Sequence, residues 1–142
     1  MKNSKLFNDT FFVNEKKFID DRGYLSDLFI IKKLENFKIK QVLESFNRQK
    51  GTIRGIHYQI NQRQSKIVRV LNGSIYDVFV NIDKKSKNFG KYGFAYLNSK
   101  SKNSIYISNK YAHGFQTLEK NTTVQYFLDK KIFCKKQQNY FL

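Results

Sequence analysis

The chain has 142 residues, with 27 Lys and Arg against 11 Asp and Glu and a formal net charge of +16 at pH 7. This length fits a single domain over residues 1–142, and the chain contains no run of about 18 apolar residues that would predict a membrane span. Its start lacks the apolar segment of a signal peptide, and its single cysteine, Cys134, can form no internal disulfide, so we expect a cytoplasmic protein.

Apolar and polar residues alternate with a period of two along most of the chain, which predicts strands rather than helices. In chain order, the predicted strands are residues 10–13, 38–46, 52–58, 66–71, 75–82, 90–97, 104–108 and 122–129. Residues 26–35 are the one predicted helix, and residues 84–88 and 98–103 are predicted polar loops. The pair Asn72-Gly73 predicts the two-residue turn of a hairpin. Many short strands separated by turns predict an all-β fold, an antiparallel barrel or jelly roll with at most one or two short helices.

The predicted strand at residues 75–82 assigns Tyr76, Val78, Val80 and Ile82 to its core-facing side. Asp77 then lies on the opposite side of the strand, among apolar neighbours. A carboxylate at this position is expected to face a cavity and to hydrogen-bond an imidazole. The alternative is that it only completes a structural network.

Both histidines of the chain lie in strand-like segments, each with a glycine nearby that lets the backbone approach a neighbouring group. The segments are Arg54-Gly55-Ile56-His57-Tyr58-Gln59 and Tyr111-Ala112-His113-Gly114-Phe115. At the His-x-His spacing of many β-barrel metal sites, His57 is followed by Gln59, and no Cys or Glu cluster has ligand spacing, so no metal is expected. The imidazoles are then available for proton transfer near neutral pH. A structural, hydrogen-bonded histidine is the alternative for His57.

A histidine base needs an acid on the other face of its substrate, a cation that stabilises a developing enolate, and basic groups that hold an anion. Tyr126 is the candidate acid and Lys66 the candidate cation. Arg54 and Arg22 are the candidate anion-binding residues. The structural alternatives are a Tyr126 that fills the barrel interior and a Lys66 that is solvated.

Several motifs, in this order, resemble the dTDP-4-dehydrorhamnose 3,5-epimerase family. They are Asp21-Arg22-Gly23-Tyr24, the run from Gly51 to Gln59, Ser65-Lys66-Ile67-Val68-Arg69-Val70, Gly73-Ser74-Ile75-Tyr76-Asp77-Val78, Ser86-Lys87-Asn88-Phe89-Gly90-Lys91 and Ala112-His113-Gly114-Phe115. Tyr126 lies thirteen residues after His113, where the family carries its tyrosine. The resemblance covers roughly residues 10–130.

This resemblance implies a cupin-type jelly roll without a metal or other cofactor, assembled as a homodimer. Its members act on a nucleotide-linked 4-keto-6-deoxyhexose in deoxysugar and surface-polysaccharide biosynthesis. The family's base, which removes a proton next to the ketone, corresponds to His57. Its enolate-stabilising lysine and second histidine correspond to Lys66 and His113, and the tyrosine that returns the proton corresponds to Tyr126.

The resemblance also implies a set of residues that bind the nucleotide diphosphate and the sugar. These residues are Arg22, Asp27, Gln41, Arg54 and Gln59. No redox or metal cofactor is needed for this chemistry, because the substrate's own ketone acidifies the neighbouring carbon.

Two departures from the family pattern affect these expectations. In the segment that begins at Gln41, Leu43 stands where the family has Asn, and Asn47 replaces a usual Ser, so the nucleotide or sugar preference is expected to differ. Family members also continue beyond the tyrosine strand with a segment whose aspartate pairs with the base histidine. The sequence ends at Leu142 without that aspartate, and Asp77 is the only apparent substitute.

Three functions are therefore weighed. The first is an active epimerase at C3, C5 or both, and the second is a shortened relative that binds a sugar nucleotide and catalyses little. The third is a nucleic-acid-binding barrel, suggested by the charge and the aromatic content alone. The lysines are scattered rather than clustered with exposed aromatic residues. Neither a nucleic acid nor a membrane is therefore expected as a partner, and the expected partner is a nucleotide-diphosphate sugar.

Overall fold

The computed structural model describes residues 4–13, 15–28, 34, 36–101 and 104–132. The regular elements in these ranges are eleven β-strands. In chain order they are β1 (Thr10–Val13), β2 (Lys16–Asp20), β3 (Gly23–Asp27), β4 (Gln41–Asn47), β5 (Ile53–His57), β6 (Lys66–Asn72), β7 (Ser74–Asn81), β8 (Tyr92–Asn98), β9 (Ser104–Ile107), β10 (Tyr111–Thr117) and β11 (Thr122–Leu128).

Nine of these strands form two sheets that face each other. One sheet has the order β1-β9-β6-β11-β4 and the other has the order β5-β10-β7-β8, while β2 and β3 form a separate hairpin. All the pairings are antiparallel. Val68 and Ile105 from the five-stranded sheet meet Phe79 and Leu97 from the four-stranded sheet in one core, and each such side chain stabilises the fold by about 1.5–3 kcal/mol. The predicted all-β jelly roll is confirmed.

The eight predicted strands are confirmed as β1, β4, β5, β6, β7, β8, β9 and β11, with ends within three residues of the prediction. Three strands were not among those predicted from the alternation. The hairpin strands β2 and β3 are exposed along almost their whole length, and β10 is buried on both faces except at Gln116. Neither condition produces the alternation of apolar and polar residues by which half-buried strands are recognised.

The predicted helix at residues 26–35 is wrong at its start, because Ser26 and Asp27 end β3. Strand pairing decides this point, since Ser26 lies opposite Lys17 and Asp27 opposite Lys16 in the hairpin. Of the other residues of that prediction, 29–33 and 35 lie outside the described residues, and so do Cys134 and the last residues of the chain.

The predicted hairpin turn at Asn72-Gly73 is also wrong, because β6 and β7 belong to different sheets. Gly73 has a φ of +79°, and the chain crosses there from one sheet to the other. A Cβ atom at Gly73 would lie 2.4 Å from the Oγ1 atom of Thr122, so the crossing also needs the absent side chain. Gly73 therefore has the positive φ of a turn glycine, but in a connection between the two sheets.

The core-facing side predicted for β7 is inverted in the structure. Ile75, Asp77, Phe79 and Asn81 are buried, whereas Tyr76 and its same-face neighbours are only partly buried. The prediction failed because apolar residues occupy both faces of β7, where Tyr76 packs on the aromatic rings of β8 outside the barrel. Asp77 therefore faces the interior, as its expected contact with an imidazole requires.

Two glycines bring β5 and β10 close together beside the histidines. Gly55 has a φ of +102°, and a Cβ atom there would lie 2.6 Å from the carbonyl oxygen of His113. A Cβ atom at Gly114 would lie 2.8 Å from the carbonyl oxygen of Arg54. A side chain at either position would therefore push the two backbones apart. The close approach that these glycines predict is thus an approach of the two histidine strands to each other.

Candidate active site

The two histidines lie side by side on neighbouring strands. His57 ends β5 and is the direct cross-strand partner of His113 on β10. Residues in this relation project from the same face of a sheet, and His113 is buried inside the barrel. His57 lies nearer the rim and is more exposed. The four-stranded sheet thus carries two neighbouring imidazoles on one face, His113 buried and His57 exposed at the rim.

Asp77 holds the buried histidine in place. Its Oδ1 atom lies 2.6 Å from the Nε2 atom of His113, and both side chains are almost completely buried. The predicted contact between Asp77 and an imidazole is confirmed, but the imidazole is that of His113. The suggestion that Asp77 takes the place of the family's aspartate beside His57 is not supported by this hydrogen bond. Within the described ranges, the Oδ2 atom of Asp77 is buried without a hydrogen-bond partner.

Tyr126 faces the histidines from the opposite sheet. It lies on β11, and its ring centroid is 6.3 Å from that of His113, with the ring planes inclined at 76°. Burial raises the pKa of the Tyr126 phenol, the negative charge of Asp77 raises it further, and the positive charge of Arg54 opposes both effects. The phenol therefore keeps its proton at neutral pH and is available as a donor.

Lys66 begins β6 and lies at the same end of the barrel. Burial lowers the pKa of Lys66 to about 8, and the negative charges of Asp77 and Asp129 partly oppose this shift. The lysine is therefore partly buried rather than freely solvated. A small cleft beside it is also lined by Gln59, which places that predicted binding residue next to the predicted cation.

The pKa of His57 is lowered by desolvation and, in addition, by the positive charges of His113, Lys66 and Arg54. A lower pKa keeps the imidazole neutral, and therefore basic, at neutral pH. The same electrostatic contacts show that these four cationic or potentially cationic groups share one region of the barrel. The sequence predicted all four as site residues, and the fold brings them together.

Arg54 reaches the rim from β5, three residues before His57. Its Nε atom donates to the Oδ1 atom of Asn47, at 2.7 Å. No carboxylate of the described residues lies within ion-pair distance of this guanidinium, which leaves its positive charge available to an anion. In the sequence Asn47 stands out only as a departure from the family pattern, because its contact with Arg54 joins two strands of different sheets.

Gln41 starts β4 opposite Leu128 of β11 and is partly buried. Its Oε1 atom accepts a hydrogen bond from the backbone N–H of Ile132, so this side chain also orders the chain after β11. Asp129 was not predicted as part of the site. It accepts a hydrogen bond from the backbone N–H of Ser65 and its charge acts on Lys66, because the antiparallel pairing of β6 with β11 brings these strand ends together.

Arg22 and Asp27 are not brought to this cluster. The Arg22 side chain is 91% exposed in the turn of the β2–β3 hairpin, where it pairs with Asp20, and Asp27 is exposed at the end of β3. Glu15, just before the hairpin, lies 3.4 Å from Arg69. The register places Arg69 opposite Gln125, one residue away from the position of Tyr126, so it projects from the outer face of that sheet. The hairpin therefore begins outside the barrel.

Among the described residues, no three His, Cys, Asp or Glu side chains come together as a metal ion would need. That part of the chain also contains no helix long and apolar enough to span a membrane. The site contains a neutral imidazole, His57, and a protonated phenol, Tyr126, on facing sheets. A lysine, Lys66, and a carboxylate-bound histidine, His113, lie near them. Such an arrangement can remove a proton from one face of a small substrate and return one from the other.

A sequence model of the family described as dTDP-4-dehydrorhamnose 3,5-epimerase matches residues 5–141. A dTDP-4-dehydrorhamnose 3,5-epimerase of Sinorhizobium fredii is 34% identical over 119 residues, which are 80% of this chain and 61% of that protein. The chain thus spans about three fifths of the length of this relative.

Solved structures of proteins with this activity in their names have the same fold. The dTDP-4-dehydrorhamnose 3,5-epimerase of Bacillus anthracis, with TDP and PPi bound, superposes with a TM-score of 0.83 at 31% identity, over 93% of this chain and 79% of that one. A dTDP-6-deoxy-D-glucose-3,5-epimerase of Legionella pneumophila, in complex with dTDP-4-keto-L-rhamnose, superposes with a TM-score of 0.81 at 30% identity, over 92% and 73% of the two chains.

Proposed function

Because this chain belongs to the dTDP-4-dehydrorhamnose 3,5-epimerase family, we propose that it inverts C3, C5 or both in a nucleotide-linked 4-keto-6-deoxyhexose. The observation that carries the proposal is the pair of proton-transfer groups on facing sheets, with His57 beside His113 and Tyr126 across from His113. The reaction would serve deoxysugar and surface-polysaccharide biosynthesis in the cytoplasm.

In this proposal His57 takes a proton from the carbon next to the C4 ketone. The ketone makes this carbon acidic, and the electron pair left by the proton moves to the ketone oxygen as an enolate. Lys66 and His113 stabilise that oxygen, since they supply positive charge or a hydrogen-bond donor in a partly buried site. Asp77 acts through His113, whose ring it orients.

Tyr126 then gives a proton to the same carbon from the opposite face. Its raised pKa keeps the phenol protonated until the enolate collapses. The electron pair returns from the oxygen to the carbon, and the configuration is inverted. Once His57 has lost its proton to solvent and Tyr126 has regained one from solvent, a second round at the other carbon next to the ketone would give the double epimer.

We propose a nucleoside diphosphate as the handle of the substrate. Arg54 offers a positive charge without a carboxylate partner among the described residues, and a guanidinium matches two phosphate oxygens at once. The related Bacillus anthracis structure contains TDP and PPi, and the Legionella pneumophila structure contains dTDP-4-keto-L-rhamnose. Gln59, beside Lys66, and Gln41 are proposed to contact the sugar or the nucleotide.

The test is proton exchange with solvent. The protein is incubated with a dTDP-4-keto-6-deoxyglucose in heavy water, and NMR follows deuterium at C3 and C5. Deuterium at C3, C5 or both, together with an inverted product, supports the proposal and assigns the positions. Binding of the substrate without deuterium at either carbon would overturn catalysis and leave the alternative, a sugar-nucleotide-binding protein.

The pH profile of kcat/KM gives a second prediction. Lys66 stabilises the enolate only when it is protonated, so activity should fall as the pH rises through about 8, its lowered pKa. On the acid side, activity should fall only below pH 6.5, because the pKa of His57 is lowered from that value. The variant Lys66→Arg should have a lower maximum but keep its charge, so its alkaline limb should move to higher pH. An alkaline limb that does not move in this variant would show that another group titrates there.

We also propose that the protein is a homodimer. The β2–β3 hairpin exposes large apolar side chains that would be covered by a second copy, including Ile19, 81% exposed, and Leu25, 72% exposed. Because the hairpin begins outside its own barrel, Arg22 and Asp27 could contact a nucleotide only across such an interface or after a movement of the hairpin.

Sedimentation velocity tests the dimer. The protein should sediment at the mass of two chains, and Leu25→Glu should reduce this to one chain. Phe89→Glu, which changes an exposed aromatic residue in the loop before β8, is the matched control and should remain dimeric. A wild-type protein that sediments as one chain at the concentration of the activity assay would overturn the proposal.

A further inference from the structure

Asn47 is a buried polar side chain that is hydrogen-bonded to the predicted anion-binding residue Arg54. It ends β4 and is only 2% exposed. Its Nδ2 atom donates to the carbonyl oxygens of Ser45 and Thr122, each at 3.1 Å. These two acceptors determine the orientation of the amide, since only the Nδ2 side can donate to them. The Oδ1 atom must then face the other way, toward Arg54, whose Nε donates to it at 2.7 Å.

This contact connects the two sheets at their open edge. Asn47 belongs to the five-stranded sheet and Arg54 to the four-stranded sheet, and β4 and β5 are edge strands of those sheets. The carbonyl that anchors Asn47 belongs to Thr122, four residues before Tyr126 on the same strand and on the same face. The asparagine thus ties the guanidinium to the strand that carries the proposed acid.

We propose that Asn47 is a positioning residue that aims the two terminal nitrogens of Arg54 at the diphosphate of the substrate. The inference rests on the proposed function, because it assigns a role within the same site. With Nε held by Asn47, Nη1 and Nη2 remain as a pair of donors for two oxygens of one phosphate. The electrostatic effect of Arg54 on Tyr126 places this charge near the acid, so a fixed guanidinium also sets how far the sugar extends toward Tyr126 and His113.

The prediction is that Asn47→Ala weakens binding of dTDP about tenfold, since a guanidinium that must be ordered by its ligand binds less tightly. Isothermal titration calorimetry with dTDP and with inorganic pyrophosphate measures this. Asn72→Ala is the matched control, because Asn72 also donates to a backbone carbonyl next to β11, that of Asn121 at 2.8 Å. This control should bind dTDP as the wild type does.

A double-mutant cycle separates positioning from a merely structural role. If Asn47 acts through Arg54, then Asn47→Ala should lose its effect on dTDP binding when Arg54 is already Ala. Equal losses in both backgrounds would overturn the proposal, and so would equal losses for Asn47→Ala and Asn72→Ala. Where Asn47→Ala does not fold, Asn47→Asp keeps the volume, loses the Nδ2 donor to Ser45 and Thr122, and places a carboxylate beside the guanidinium. This carboxylate should compete with the phosphate and weaken binding by more than tenfold, and unchanged binding would overturn the inference.

The binding cycle is independent of turnover, so the two proposals can fail separately. Coupling between Asn47 and Arg54 without deuterium exchange would keep the positioning role and remove the epimerase. Exchange without coupling would keep the epimerase and remove the positioning role. A wild-type protein that binds neither dTDP nor pyrophosphate would overturn both.

Discussion

Replacing His57 with Asn is expected to lower the rate of deuterium exchange next to the ketone by about 10³-fold, within the range of a lost general base. Asn keeps the size and polarity of the side chain but cannot accept the proton. Binding of dTDP should change little, because Arg54 and Asn47 remain in place. Exchange is measured by NMR in heavy water, and binding by calorimetry.

The variant Asp77→Asn makes this experiment decisive about which histidine is the base. The structure gives a carboxylate to His113, an arrangement that in other enzymes activates a base. If His57 is the base, Asp77→Asn should slow exchange less than His57→Asn does. If exchange survives in His57→Asn and is lost in Asp77→Asn, then His113 is the base and the roles of the two histidines are reversed.

Replacing Tyr126 with Phe is expected to lower the rate of inversion by about 10²-fold or more, while proton exchange continues. The base on the other sheet still removes a proton and returns it, or solvent deuterium, to the face from which it came. The product should therefore be labelled starting material. The raised pKa of Tyr126 supports this role, since a phenol that stays protonated is a donor and not a base at neutral pH.

Tyr106→Phe is the matched control for this variant. Tyr106 lies on β9 and stacks on Phe11 with a centroid distance of 4.9 Å, so the change removes a phenol outside the site and keeps the ring. Inversion should proceed at the wild-type rate. Equal loss of exchange and inversion in Tyr126→Phe would show that Tyr126 is not the acid and has some role common to both steps.

Burial alternates from residue to residue along the whole of β7 and β8 and from Thr122 to Gln125 in β11. The period of two that predicted these strands therefore reflects their two faces. In β7 both faces carry apolar residues, so the sequence predicts the strand but not which of its faces is buried. Asp77 was therefore assigned to the wrong side. The exposed hairpin of β2 and β3 carries no such signal at all, because its pairing rather than its burial makes it a sheet.

For the candidate site, the sequence likewise predicted some features and not others. His57, Lys66 and Tyr126 could be proposed because residue chemistry and motif order limit what they do. A contact of Asp77 with an imidazole was also proposed, but not the identity of that imidazole, because His113 is 36 residues away in the chain. The bond of Asn47 to Arg54 could not be proposed, because these residues, although close in the chain, lie on strands of different sheets. Local sequence holds no information on which acceptor a buried donor will meet.

By itself, the sequence determined the all-β class, most of the strands and the family, because alternation and motif order are local properties of the chain. Only the tertiary structure decided that Asp77 serves His113, that burial lowers the pKa of Lys66 to about 8, and that Arg22 stays on an exposed hairpin. These outcomes depend on desolvation and on which strands become neighbours, as β7 and β10 do in one sheet. Such quantities exist only once strands distant in sequence have been brought together.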